Sequence, residues 1–232
     1  MESVYFAICS GLGISSYTSL SLDVTIEVLH QQGVKYNKDY CGGHFLESQR
    51  GKLVRNFLKT DFQNLFFIDA DMQFTPMSVL TLLEREEEII SGIAPFKLYP
   101  EAYPVDLMIE DGHPRGKVIG PNLAILKAHM VGTGFLRIKR SAIEKMVEQY
   151  PELLVREFLE EEPWYDLFGR IIEDGVKYGE DKSFCKRWTK IGGEIWVYPD
   201  ITFIHYEGNH GFKGNLHKYM LKLEEEKHVI LS

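Results

Sequence analysis

Four apolar residues in succession, Leu65-Phe66-Phe67-Ile68, run directly into Asp69-Ala70-Asp71. A short continuous apolar run is the pattern of a strand covered on both faces, and such strands belong to parallel sheets flanked by helices. The surrounding segments alternate to match. Val4 to Cys9 reads as a first buried strand ending in Ser10-Gly11-Leu12-Gly13. Ser15 or Ser16 caps a helix to about Gln32, with Leu20, Val24, Val28 and Leu29 on its apolar face. Val34 to Cys41 reads as a second strand, and Leu46 to Leu58 as a helix carrying Arg50 and Arg55. Pro76 opens a helix through Glu88, and Ile89 to Ala94 is the next strand. Prolines 95, 100, 104, 114 and 121 then punctuate short β-like pieces as far as His129. Beyond them come a turn at Gly132-Thr133-Gly134, a strand over Phe135 to Ile138 and a helix over Ser141 to Gln149. The segment from Pro151 to Gly175 reads as a mobile acidic loop with Trp164 and Tyr165. The chain ends with a helix over Glu180 to Ile191, strands at Ile195 to Tyr198 and Ile201 to His205, and an amphipathic helix from Leu216 to Val229. Helix and strand in alternation predict an α/β fold with a mostly parallel central sheet.

With 232 residues and 44% hydrophobic content, the chain suits one sizeable core and is short for two domains. A formal charge of −8 argues against a surface devoted to nucleic acid. Two basic clusters, Arg50-Lys52-Arg55-Lys59 and Arg137-Lys139-Arg140, still leave room for a local basic groove, beside acidic blocks at Glu84 to Glu88 and Glu157 to Glu162. Cys9, Cys41 and Cys185 are odd in number and widely spaced, which fits neither a disulfide framework nor a zinc pattern. No basic leader and no apolar stretch near the ~20 residues of a membrane span is present, so a soluble, cytoplasmic protein is expected.

Ligands of open parallel sheets collect at the carboxyl ends of strands, where Asp69 and Asp71 stand. Residues two apart in an extended segment project to one side, so both carboxylates reach a single cation or its bound water. A divalent metal there would bridge the phosphates of a nucleotide and neutralise charge as a diphosphate departs. Two other readings compete. Asp69 and Asp71 serve equally well as turn and cap residues, and phosphatases place Asp-x-Asp after a buried strand with the first Asp as nucleophile. Those phosphatases carry Thr two positions past the second Asp, where this chain has Gln73. Gly11-Leu12-Gly13 is a weak dinucleotide fingerprint because the third glycine position is Ser16.

The run from Phe66 to Pro76 resembles the nucleotide-sugar site of GT-A glycosyltransferases, family 2-like, and the resemblance extends along most of the chain. Glu47 to Leu58 is similar to the Arg-bearing helix of a phage- and virus-associated subgroup, with Gln49-Arg50-Gly51 where that subgroup more often has Ala-Arg-Asn. Ser91 to Lys97 resembles its Gly…Pro-x-Lys segment, and Val131 to Phe135 its Gly-Thr-Gly-Phe turn. Gly179 to Cys185 resembles its Glu-Asp motif, and Ile204 to Gly208 its C-terminal His segment.

The resemblance implies a Rossmann-like α/β/α sandwich in which residues 1–130 bind a UDP- or GDP-sugar donor and residues 131–232 the acceptor. It implies that Asp69 faces ribose or metal-bound water, that Asp71 ligates the metal, and that His205 is a distal ligand, with His210 a competitor. An Asp, Asp and His set suits Mn2+ or Mg2+. Asp181 is the expected general base, with Glu180 orienting the acceptor. Arg50 is placed as a phosphate contact or on a solvated helix face, and Lys97 on phosphate or sugar hydroxyls or at the surface. Ser10 and Gly11 wrap the donor base, and Trp164 and Tyr165 stack on a sugar or form an aromatic cluster. A glycan, a lipid-linked sugar, a protein or a hydroxylated DNA base are the acceptor classes considered. A sugar-nucleotide nucleotidyltransferase is the rival enzyme, although Ser10 to Ser16 has no basic residue to cradle a triphosphate. A non-catalytic binding module is the rival outside enzymes.

Overall fold

The computed structural model describes residues 2–11, 13–121, 123–158 and 162–231, the last six of these as backbone alone. Leu12 of the glycine loop and residues 159–161 of the second acidic block lie outside the described residues.

The chain begins β1 (Val4–Gly11), α1 (Ser16–Gln31), β2 (Tyr36–Gly42), α2 (Leu46–Leu58) and β3 (Asn64–Asp69). β1 pairs in parallel with β2 on one side and β3 on the other. The continuous apolar run has the predicted consequence, since successive residues of β1 and β3 serve two different cores. Tyr5, Ala7, Cys9, Leu65 and Phe67 pack against Leu53, Val54 and Phe57 of α2. Val4, Phe6, Ile8, Phe66 and Ile68 pack on the other face with Leu22 and Leu29 of α1. Each strand is therefore buried twice, which is why no polar residue alternates along it.

Next come β4 (Met72–Gln73), α3 (Pro76–Leu83), β5 (Ile89–Ser91), β6 (Val105–Leu107), β7 (Gly116–Gly120), β8 (Leu123–Val131) and β9 (Phe135–Lys139). They are followed by α4 (Arg140–Gln149), α5 (Glu180–Lys190), β10 (Ile195–Val197), β11 (Thr202–Glu207), β12 (His210–Asn215) and α6 (Leu216–Leu231). The main sheet has nine strands among the described residues, ordered β2-β1-β3-β9-β5-β10-β8-β6 with β7 on β8. Only β9 and β8 run against the rest, so the sandwich is mostly parallel, as expected. No helix among the described residues is long and apolar enough to cross a membrane. Cys9 and Cys185 are buried free thiols.

Four expectations are corrected. The apolar face assigned to α1 is wrong: Leu20 is 62% and Val24 46% exposed, while Thr18, Ser21, Leu22, Thr25 and Leu29 are buried. Helix α3 stops at Leu83 instead of Glu88, because Arg137 is fully buried and donates to the carbonyls of Leu82, Arg85 and Glu87. The Gly-containing stretch after His205 forms a strand, β12, paired along its length with β11. The aromatic segment around Trp164 is anchored: Trp164 is buried against Gly51 of α2, where any Cβ would fall inside its ring. That contact explains glycine beside Arg50 and leaves Trp164 as core.

Candidate functional site

The turn after β3 is held by hydroxyls of α1. Ser15 caps α1, its Oγ accepting from the Thr18 amide at 3.1 Å, and the Ser15 amide donates to the Ala70 carbonyl at 2.8 Å. Thr18 Oγ1 donates to the Met72 carbonyl at 2.8 Å and accepts from the Met72 amide at 2.9 Å. Ser21 Oγ accepts from the Phe74 amide at 3.2 Å. The buried polar stripe of α1 thus satisfies backbone groups that would otherwise be orphaned in the interior. It also fixes where Asp69 and Asp71 stand.

Asp69 ends β3, but Ala70 and Asp71 form a turn, so the two carboxylates converge through the turn rather than by extended alternation. β11 completes the arrangement by pairing antiparallel with β4, His205 opposite Met72, with the Tyr206 amide donating to the Asp71 carbonyl at 2.8 Å. Ligand atoms of Asp69, Asp71 and His205 all lie within 4.8 Å of one another, a group that could hold a metal ion. His205 Nδ1 donates to the Pro95 carbonyl at 2.9 Å, which turns Nε2 toward Asp71 Oδ1 at 3.2 Å. In a neutral imidazole that geometry sets two acceptors face to face, which either a proton on Nε2 or a shared metal ion resolves. His210 lies at the far end of the hairpin, exposed, with its ring on Phe212 and Tyr99.

Arg50 lies beneath the turn. It is only 2% exposed and is neither on a solvated helix face nor facing the open groove. Its Nη1 is 3.0 Å from Glu180 Oε1 and 3.8 Å from Asp181 Oδ1, and its Nη2 is 3.4 Å from Asp69 Oδ1. These carboxylates raise the guanidinium above its ordinary range although burial alone would lower it. Lys97 contacts Asp71 Oδ2. Burial would raise the Asp71 carboxyl, but His205 and Lys97 outweigh it and hold the group below the usual carboxylate range. Burial raises Asp69 despite Arg50. Four carboxylates, Asp69, Asp71, Glu180 and Asp181, thus face two permanently charged side chains, Arg50 and Lys97, an acidic excess that favours a cation.

Glu180 and Asp181 open α5, where the helix dipole favours anions. Burial nevertheless pushes Asp181 up to about 6, against the pull of Arg50. Thr133 Oγ1 donates to Asp181 Oδ1. Thr133 was legible only as part of its Gly-Thr-Gly turn. Gly134 is required by close approach, since a Cβ there would meet Asp69 Oδ2 at 2.6 Å. Asp69, Asp181, His205 and Thr133 line one cavity of about 170 Å³, walled otherwise by apolar groups such as Phe96, Pro104 and Phe135. On its other side Asp69 opens with Asp71, Lys97 and His205 into a groove of about 920 Å³, which Ser10, Gly11 and Ser15 also line.

Most side chains of the two basic clusters are engaged within the protein. Arg137 and Arg140 are engaged with backbone carbonyls. Lys52 pairs with Glu157, and Arg55 and Lys59 pair with Glu162.

No family model and no curated protein sequence matches the chain. Among solved structures it is similar to A197 from STIV, with 16% identity over 89% of this chain and 86% of that one and a TM-score of 0.50. This likeness is one of fold. Weaker similarity links it to a glycosyltransferase involved in the glycosylation of the major capsid of PBCV-1, at 12% identity over 64% of this chain and 66% of that one, TM-score 0.35. The inositol-1-phosphate CTP transferase from T. maritima is similar at 11% identity over 90% and 89% of the two chains, TM-score 0.43.

Proposed function

We propose that the protein is a metal-dependent glycosyltransferase of the GT-A kind, moving a sugar from a nucleoside-diphosphate donor to an acceptor hydroxyl. The observation that carries this reading is the convergence of Asp69, Asp71 and His205 on one groove, with Asp181 beside Asp69 in the adjoining cavity. The groove would take the donor, with Ser10 and Gly11 toward its base, and residues 131–232 would supply most of the acceptor side.

Asp71 and His205 would ligate Mn2+ or Mg2+, with Asp69 as a third ligand or on bound water. The ion would neutralise the diphosphate as the bond from the anomeric carbon to phosphate oxygen breaks. The chain's own chemistry is proton transfer. Thr133 occupies Asp181 Oδ1, which leaves Oδ2 to take the proton of the acceptor hydroxyl as its oxygen bonds to the anomeric carbon. A carboxyl raised to about 6 is mostly ionised at neutral pH and more basic than an ordinary aspartate. Glu180, bonded to Arg50, would orient the acceptor edge. The engagement of Lys52, Arg55, Lys59, Arg137 and Arg140 within the protein weighs against a DNA acceptor relative to a glycan, lipid-linked sugar or protein. The nucleotidyltransferase reading is weaker because no lysine or arginine lies in Ser10 to Ser16.

Hydrolysis of UDP- and GDP-sugars tests the proposal. Turnover should require Mn2+ or Mg2+ and fall about 100-fold or more in His205→Ala while His210→Ala keeps it. Metal-independent turnover, or equal loss in the two variants, would refute the metal-dependent reading.

A further inference from the structure

Both carboxylate oxygens of Asp71 are engaged by basic side chains: Oδ1 faces His205 Nε2 at 3.2 Å, and Oδ2 is bonded by the Lys97 ammonium. The two partners differ in kind. His205 is fixed by its strand pairing with β4 and by the Pro95 carbonyl. Lys97 follows Phe96 on a surface segment in which Phe96, Leu98 and Tyr99 are all exposed, with a backbone bond from the Phe96 amide to the Ala102 carbonyl at 2.8 Å. Its side chain is 29% exposed and lines the same groove as Ser10, Gly11 and Asp69. Its four-carbon stem and compact charge let the ammonium move between partners without moving the backbone.

A divalent cation on Asp71 and an ammonium on the same carboxylate repel each other, because both would sit on oxygens of one carboxyl group. They cannot both be at their best. Whatever displaces the ammonium leaves it in the groove, where the nearest complementary chemistry would be the phosphates of a bound donor.

We propose that Lys97 is a counter-ion in competition with the metal: it holds Asp71 until a divalent cation arrives, then turns to the diphosphate, so that cation and diphosphate bind as a coupled pair. This inference rests on the metal-dependent reading above and adds an order to it. A cation alone must displace Lys97, whereas a cation with a diphosphate gives the displaced ammonium a partner. Linkage then requires each ligand to strengthen the other by the same factor.

The test uses Mn2+ alone, titrated by calorimetry into the wild type, Lys97→Met and Lys97→Arg, followed by methylenediphosphonate, a diphosphate analogue without a base, at saturating Mn2+. Lys97→Met should bind Mn2+ alone at least about tenfold more tightly. It should bind the diphosphonate several-fold more weakly, and Lys97→Arg, which keeps the charge, should follow the wild type with Mn2+. Equal or weaker Mn2+ binding by Lys97→Met overturns the competition while leaving the metal site standing. Absence of Mn2+ binding in all three proteins, each folded by circular dichroism, overturns the metal-dependent reading and this inference together. Asp71→Asn, expected to lose Mn2+ binding, identifies the site being titrated.

Discussion

Arg50 and Arg137 are both withdrawn from water, and their surroundings differ in every other respect. Arg137 directs its fork at backbone carbonyls of Leu82, Arg85 and Glu87, tying off the end of a helix. With only neutral acceptors on the fork and Glu87 as the main nearby counter-charge, burial lowers its guanidinium to about 10. Arg50 sits among Asp69, Glu180 and Asp181 and is shifted the opposite way, with its Nε left without a partner. A buried arginine on carbonyls closes a structural gap. One ringed by carboxylates keeps together charges that would otherwise separate, and here those carboxylates come from β3 and from the start of α5.

Replacing each arginine tests that contrast, and the largest effect is expected at Arg50. Arg50→Met should cost about 3–5 kcal/mol by chemical denaturation, because it leaves three carboxylates uncompensated. It should also lower donor turnover per folded molecule about 100-fold. If turnover per folded molecule held steady, Arg50 would be another structural arginine and the contrast would collapse. Arg137→Met should cost about 3 kcal/mol through its orphaned carbonyls, with turnover of the folded fraction unchanged.

Gly51→Ala asks whether Arg50 depends on the seating of α2 against Trp164. Overpacking there should cost about 2 kcal/mol and reduce turnover less than Arg50→Met does.

The smallest stability change, and the one with opposite sign, belongs to Asp181. Its folded value of about 6 lies above the ordinary 3.8, so the fold holds the proton more tightly than the unfolded chain does. The associated stability is present at acid pH and is lost as pH rises through about 6. Asp181→Asn should therefore be more stable than wild type by about 1 kcal/mol at pH 7.5, a gain that shrinks toward pH 4, while turnover to acceptor falls about 100-fold. In the wild type, kcat/KM should rise with pH along a limb near 6.

Much of the frame was legible because it depends on local patterning. The run ending at Ile68 predicted β3 and the helix over Leu46–Leu58 was placed at its observed ends, while the nearness of distant His205 to Asp71 came from the family resemblance alone. Features defined by partners far along the chain were not legible. Thr18 and Ser21 look like solvent-facing residues until the backbone of Met72 and Phe74 is laid against them, and Leu20 and Val24 then point outward. Arg137 looked basic and exposed until the carbonyls past α3 were seen to need it. Arg50 was visible as a residue of interest, but nothing local announces a guanidinium enclosed by three acids from two distant places in the sequence.

The ladder between β4 and β11 has a temporal implication. Both aspartates leave the ribosome more than 130 residues before the imidazole that faces them. A growing polypeptide that has reached only residue 201 carries the two acids without their third partner. Any chemistry that needs all three groups therefore starts only after residue 205 has been made.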